Sequence, residues 1–127
     1  MFHFTVNTEK PVSQILKDLE ENLSKEQFSI LWSFNIKDKL NAKGLEYNQD
    51  FYVLEVCNPF DAKEVLSITN QVGYFLPCKI VVYGEQETNK IGMVKPTTLM
   101  SILDDANLDS KANEIEQRLV KCIDRSK

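Results

Sequence analysis

The segment Phe51-Tyr52-Val53-Leu54-Glu55-Val56-Cys57-Asn58-Pro59 decides the fold class. A mainly apolar run, interrupted only by Glu55, meets a short amide side chain and then a proline. Valine and aromatic residues suit the pleated surface of a strand. Asn58 suits the position that caps a helix, and proline suits the first helical position, where its missing N–H has no partner to lose. A strand therefore hands over to a helix at Cys57. The same handover recurs in Lys95-Pro96-Thr97-Thr98, and Pro77 marks the reverse boundary, leading into the apolar run Cys78 to Tyr83.

Outward from these boundaries the pattern alternates between the two periods. Phe2, Phe4 and Val6 alternate with His3 and Thr5, which predicts a strand. Pro11 opens a helix with the stripe Val12, Ile15, Leu16, Leu19 and Leu23, and Lys17, Asp18, Glu20 and Glu21 on its wet side. Phe28, Ile30, Trp32, Phe34 and Ile36 alternate with Ser29, Leu31, Ser33 and Asn35, which predicts one unbroken half-buried strand. Lys37 to Lys43 reads as a short helix stopped by Gly44. Ala62, Val65, Leu66 and Thr69 give the helix after Pro59 its apolar side. Strands at Cys78 to Tyr83 and Lys90 to Lys95 flank a polar connection, Gly84 to Asn89, consistent with a hairpin. A helix carrying Leu99, Ile102 and Leu103 follows Pro96. The last helix, capped by Asp109 or Ser110, carries Ala112, Ile115, Leu119, Cys122 and Ile123. No repeat, linker or low-complexity tract divides residues 1–127, so the expectation is one domain of the α+β class.

Composition narrows the function. The chain has 127 residues, 15 Lys and Arg against 19 Asp and Glu, and a formal charge of −4. An acidic chain with no basic cluster argues against nucleic-acid binding, which is driven by phosphate neutralisation. No run approaches the roughly 18 apolar residues of a membrane helix, and no basic-then-apolar leader opens the sequence. Three cysteines, an odd number, fit free thiols in a reducing compartment. The expected location is cytoplasmic.

Three segments carry a likeness to a known family: Val53-Leu54-Glu55-Val56-Cys57-Asn58-Pro59, Gly73-Tyr74-Phe75-Leu76-Pro77-Cys78-Lys79 and Gly92-Met93-Val94-Lys95-Pro96-Thr97. In order and spacing the chain resembles the domain-of-unknown-function 302 family of bacteria and archaea, from Phe2 to about Cys122. The resemblance implies a β-α-β(4)-α core with a mainly antiparallel sheet, helices packed on it and a C-terminal helix at the margin. It also implies a homodimer. It implies no established reaction, and no cofactor is expected.

The candidate chemistry gathers at strand ends. If the strands ending at Cys57 and starting at Cys78 run antiparallel, both thiols lie at one end of the sheet. If the next strand is antiparallel again, its exit at Lys95 joins them, and helix starts at Asn58 and Thr97 share that end. Unpaired N–H groups at helix starts favour anions and thiolates, and Lys79 and Lys95 add positive charge. The expected site is therefore a pocket for a small anionic or thiol-reactive ligand lined by Cys57, Asn58, Cys78, Lys79, Lys95 and Thr97. Against it stands ordinary capping, with cysteine as a small hydrophobe. The leading reading is a homodimeric domain that binds a small ligand without turnover. The alternatives are a thiol-dependent redox or transferase-like enzyme using Cys57 or Cys78, and a structural module touching partners through Tyr74 to Pro77. Cys122 sits on a helical stripe and reads as core.

Other constellations are weaker. His3, Cys57, Cys78 and Met93 have ligand types suited to Cu(I) or Zn(II), but no short ligand spacing. His3 is the only histidine that could serve a cysteine as base. Glu55 shares a strand face with Val53 and Cys57, where a carboxylate is either an acid–base group or a solvated partner of lysine. The four glycines match no phosphate loop.

Overall fold

Asn58 does what its position in the sequence implies: its Oδ1 accepts hydrogen bonds from the backbone N–H groups of Phe60 (3.0 Å) and Asp61 (3.2 Å), closing the first turn of a helix. The computed structural model describes Met1–Lys127. In chain order the elements are β1 (His3–Thr8), α1 (Val12–Lys25), β2 (Ser29–Asn35), α2 (Ile36–Ala42), β3 (Phe51–Cys57) and α3 (Pro59–Ile68). A 3-10 turn (Asn70–Tyr74), β4 (Cys78–Glu85), β5 (Thr88–Val94) and α4 (Pro96–Met100) follow, and α5 (Ala106–Ser126) closes the chain. The sheet order is β1-β5-β4-β3-β2, with every neighbouring pair antiparallel. The fold is α+β, with the short helices α2 and α3 inserted between the last four strands. β1 and β2 occupy opposite edges, so the connection through α1 crosses the whole sheet.

One face of the sheet holds the core. Phe4, Val6, Ile30, Leu54, Val56, Cys78, Ile80, Val82, Ile91 and Met93 pack there against α1, α3, α4 and α5. The stripes of α1 and α5 are fully buried at Ile15, Leu19, Leu23, Leu108, Ala112, Leu119 and Ile123. Asn22 Nδ2 donates to Ser126 Oγ (3.0 Å), tying these two helices together. Burial of this apolar surface is the main stabilising term.

The other face has no helix that supplies the core against it. Register lays Thr5, Gly92, Val81, Val53 and Phe34 in one row across all five strands. A second row holds Asn7, Lys90, Tyr83 and Phe51. On the other side lie His3 beside Val94, and Lys79, Glu55 and Trp32 in sequence. Phe51 and Tyr83 stack with ring centroids 4.9 Å apart. Gly92 is required in this row, because a Cβ there would come within 2.7 Å of Thr5 Oγ1.

Three expectations are corrected. The uniform alternation predicted for Phe28 to Ile36 is broken by a β-bulge between Ile30 and Trp32. Ile30 stays opposite Val56 on the core face, while Trp32 and Phe34 are re-aimed to the open face, opposite Glu55 and Val53. An extra residue in one strand reverses every side chain after it. The last helix starts earlier than Asp109 or Ser110: Asp104 takes a left-handed φ of 51°, and Asp105 caps Asn107 and Leu108. The hairpin is tighter than predicted, turning at Gln86 and Glu87 with φ of 53° and 69°. Neither is the glycine or asparagine that usually announces such a turn.

Candidate functional site

At one end of the sheet β3 leaves at Cys57, β4 enters at Cys78 and β5 leaves at Val94. The antiparallel arrangement therefore brings the two cysteine positions to one end. Register sets their faces. Val56 lies opposite Cys78, and Ser29 opposite Cys57. Cys78 shares the core face with Val56, whereas Cys57, one residue on, belongs to the open face. The backbones are neighbours but the thiols point to opposite sides, and Cβ vectors that point apart do not form a disulfide without backbone movement. All three cysteines are free.

A cavity of about 280 Å³ opens beside Cys78. Its walls are Tyr74, Phe75 and Pro77 from the turn before β4, Cys78 and Lys79 from β4, Val94 from β5, and Pro96, Leu99 and Met100 from α4. Most of this lining is apolar. Lys79 contributes the one charged side chain, and it has no carboxylate within 4.0 Å, although Glu55 is its cross-strand neighbour. A shallow groove on the open face, lined by Phe2, His3, Thr5, Phe51, Val81, Tyr83 and Gly92, also includes Lys79 and Val94.

The thiols are not activated. Burial pushes the Cys78 thiol up to about 11 from an ordinary 9.0, with smaller contributions from Cys57 and the Asp61 carboxylate. Burial and then Asp61 raise Cys57 as well. Desolvation of the charged form and a nearby carboxylate thus act in the direction opposite to the one expected from the helix starts. Cys122 lies in the core, 1% exposed, and burial raises it to about 11.

Asp61 was not visible as special in the sequence. It stands in the first turn of α3 and is 7% exposed. Its Oδ1 accepts from Arg118 Nη2 at 2.7 Å and lies 3.2 Å from Lys111 Nζ, while the buried Oδ2 has no partner. Hydrogen bonding to Asp61 is the main cause raising Arg118, and Lys111 is raised chiefly by its bond to Glu64. These cations come from α5, so only the tertiary fold reveals the cluster.

The helix starts are internally satisfied. Asn58 is buried, caps α3 and donates through Nδ2 to the Glu26 carbonyl at 3.2 Å. Thr97 donates through both its N–H (3.1 Å) and its Oγ1 (2.6 Å) to Glu116 Oε1, so a carboxylate of α5 already occupies the start of α4. Lys95 is the residue before that helix, and its backbone N–H donates to the Phe2 carbonyl at 2.7 Å. Of the six residues predicted to line a pocket, Cys78 and Lys79 line the cavity; Cys57, Asn58, Lys95 and Thr97 stand at the same sheet end outside its walls.

His3 sits on the edge strand β1, with β5 and β4 between it and Cys57, and its Nδ1 is 2.9 Å from Thr5 Oγ1. Cys78 and Met93 belong to the core face, so His3, Cys57, Cys78 and Met93 do not converge. No group of three or more His, Cys, Asp or Glu side chains has the arrangement to hold a metal ion. No helix is long and apolar enough to cross a membrane.

Comparison with known proteins agrees with this architecture. A family model described as "Domain of unknown function DUF302" matches residues 4–126. The chain is similar to the crystal structure of an uncharacterized conserved protein DUF302 from Bacillus stearothermophilus, with 46% sequence identity and a TM-score of 0.97. That similarity covers 100% of this chain and 99% of the other. No curated protein matches. With a family model spanning nearly the whole sequence and a near-superimposable relative, the chain belongs to the DUF302 family.

Proposed function

We propose that this protein is a binding module that pairs with a second copy through its open sheet face. Each copy holds a small ligand, with an apolar body and an anionic head, in the cavity beside Cys78. No turnover is involved. The observation that carries this reading is the cavity itself: an apolar wall of Phe75, Pro77, Leu99 and Met100 with the unpaired ammonium of Lys79 at its rim. At about 280 Å³ it lies near the small end of the roughly 300–1,000 Å³ typical of ligand cavities. The raised, neutral thiol of Cys78 supports a wall residue rather than a nucleophile, and so favours binding over thiol-dependent catalysis.

The test uses 1-naphthoate, a rigid apolar anion, titrated into the protein by calorimetry. Wild type binds it, and Leu99→Trp, which fills the cavity, weakens binding by about tenfold or more, equivalent to about 1.4 kcal/mol. Equal binding by the two proteins, or none by wild type, would contradict the reading.

The pairing rests on the open face. A sheet face left in water normally carries polar residues on alternate positions. This one carries Trp32, 57% exposed, half-buried Phe34, Phe51, Val81 and Tyr83, and, beneath them, buried Val53. Five strands at about 4.8 Å and seven residues at about 3.3 Å give an outline on the order of 500 Å². Side-chain relief brings that towards the roughly 600–1,000 Å² per partner of specific interfaces. Charge favours a second copy. Glu55 and Lys90 lie diagonally on opposite sides of Val81, so a two-fold axis through Val81 sets Glu55 of each copy over Lys90 of the other. Val81→Asp at the centre of the face converts the pair to monomers in sedimentation equilibrium. A chain that sediments as a monomer at every concentration, or a pair indifferent to this substitution, would contradict it.

A further inference from the structure

We infer that the cavity and the pairing face are coupled through Lys79, so that an anion bound in the cavity serves as the counter-ion that tightens the pair of chains. This rests on the ligand cavity and the paired face proposed above. Lys79 and Val94 line both the cavity beside Cys78 and the groove on the open face. They form the shared wall between a site for a small molecule and a surface for a second chain.

The charge count of the face supplies the driving force. Its middle carries Lys79, Lys90, whose Nζ donates to Asn7 Oδ1 at 2.7 Å, and Glu55, with a second carboxylate, Glu85, further along β4 at the hairpin end; none of the four forms an ion pair within the chain. With Glu55 set over Lys90 of the other copy and Glu85 at the far hairpin end, beside Lys90 rather than Lys79, Lys79 is the cation left without a carboxylate partner. Alone, the face keeps both ammonium groups in water. A second copy laid over it removes that water, and a desolvated charge without a partner opposes association.

If Glu55 pairs across the two-fold with Lys90, the cation left over is Lys79, which borders the cavity. An anionic head lodged there stands beside the Lys79 ammonium and neutralises it from the cavity side, where it does not obstruct the paired faces. The ligand therefore favours the paired state, and by thermodynamic reciprocity the paired state binds the anion more tightly. A neutral ligand of the same shape fills the cavity but leaves the charge uncompensated.

The experiment measures the dimer dissociation constant by sedimentation equilibrium. The probes are saturating 1-naphthoate and its neutral isostere 1-naphthalenemethanol, with binding to the same samples followed by calorimetry. Naphthoate is expected to tighten the wild-type pair at least fivefold, and the alcohol to change it by less than twofold. Lys79→Met, an exposed position whose fold is checked by circular dichroism, is expected to pair more tightly than unliganded wild type and to ignore naphthoate. If naphthoate binds and the dimer constant does not move, the coupling is wrong while the cavity reading stands. If naphthoate does not bind, the cavity reading fails and takes the coupling with it. If Lys79→Met pairs no more tightly than wild type, or still responds to naphthoate, Lys79 is not the link.

Discussion

Alkylation of Cys78 separates a thiol that lines a wall from one that reacts. Its thiol is held up to about 11, against 9.0 for an ordinary cysteine, chiefly by burial. At about pH 7.5 two units lower the thiolate population by roughly 100-fold. The less acidic thiolate is intrinsically more nucleophilic, and a Brønsted slope of about 0.4–0.5 returns a factor of about 6 to 10. The net expectation is alkylation about 10- to 16-fold slower than for the same cysteine in the unfolded chain, before the cavity walls restrict access further. The assay is iodoacetamide labelling followed by mass spectrometry in a Cys57→Ser, Cys122→Ser background, which leaves Cys78 as the only thiol. The same protein in denaturant provides the reference rate. Native Cys78 alkylated as fast as, or faster than, the denatured protein would refute the argument from burial and revive the thiol-dependent enzyme.

Three further outcomes follow from the packing. Cys78 and Cys122 both have folded values near 11, raised from 9.0 by burial, so the native state holds their protons more tightly than the unfolded chain. Their contribution is complete below about pH 9 and is lost as pH rises through about 11, by at most about 2.7 kcal/mol per thiol. Urea melts of wild type against Cys78→Ala, Cys122→Ala should show a shallower alkaline decline in the double variant, and parallel curves would contradict this. Asp61→Asn removes the charge that holds Arg118 to α3 and one of the two α3 carboxylates on Lys111, and should cost about 1–3 kcal/mol in thermal or urea denaturation; unchanged stability would show the cluster to be ornamental. Gly92→Ala forces a Cβ to within 2.7 Å of Thr5 Oγ1 and should cost about 1–3 kcal/mol, most of it recovered by adding Thr5→Ala. A failure of Thr5→Ala to rescue would place the strain elsewhere.

What the sequence disclosed and what it hid divide along the range of the interactions. The β3-to-α3 boundary was legible because Asn58 and Pro59 act within one turn, and the stripes of α1 and α5 because helical period needs only neighbours. The sequence places the start of α5 at Asp109 or Ser110, a turn too late, because Asp105 caps it after a left-handed turn at Asp104 that helical period alone does not reveal. The bulge in β2 left no local mark, yet it moves Trp32 and Phe34 to the open face and so creates the surface proposed for pairing. The sheet end was found correctly from antiparallel connectivity. The opposed faces of Cys57 and Cys78 were not, because one step of register settles them and spacing does not. Asp61 was hidden for a related reason, since Arg118 lies 57 residues along the chain and meets it only when α5 packs over α3.

The placement of the ligand cavity is tested most directly by two-dimensional nuclear magnetic resonance of labelled protein titrated with 1-naphthoate. The account predicts saturable shifts concentrated at Tyr74, Phe75, Cys78, Lys79, Leu99 and Met100. Shifts absent from these six residues, or centred instead on the Asp61, Lys111 and Arg118 cluster, would contradict it.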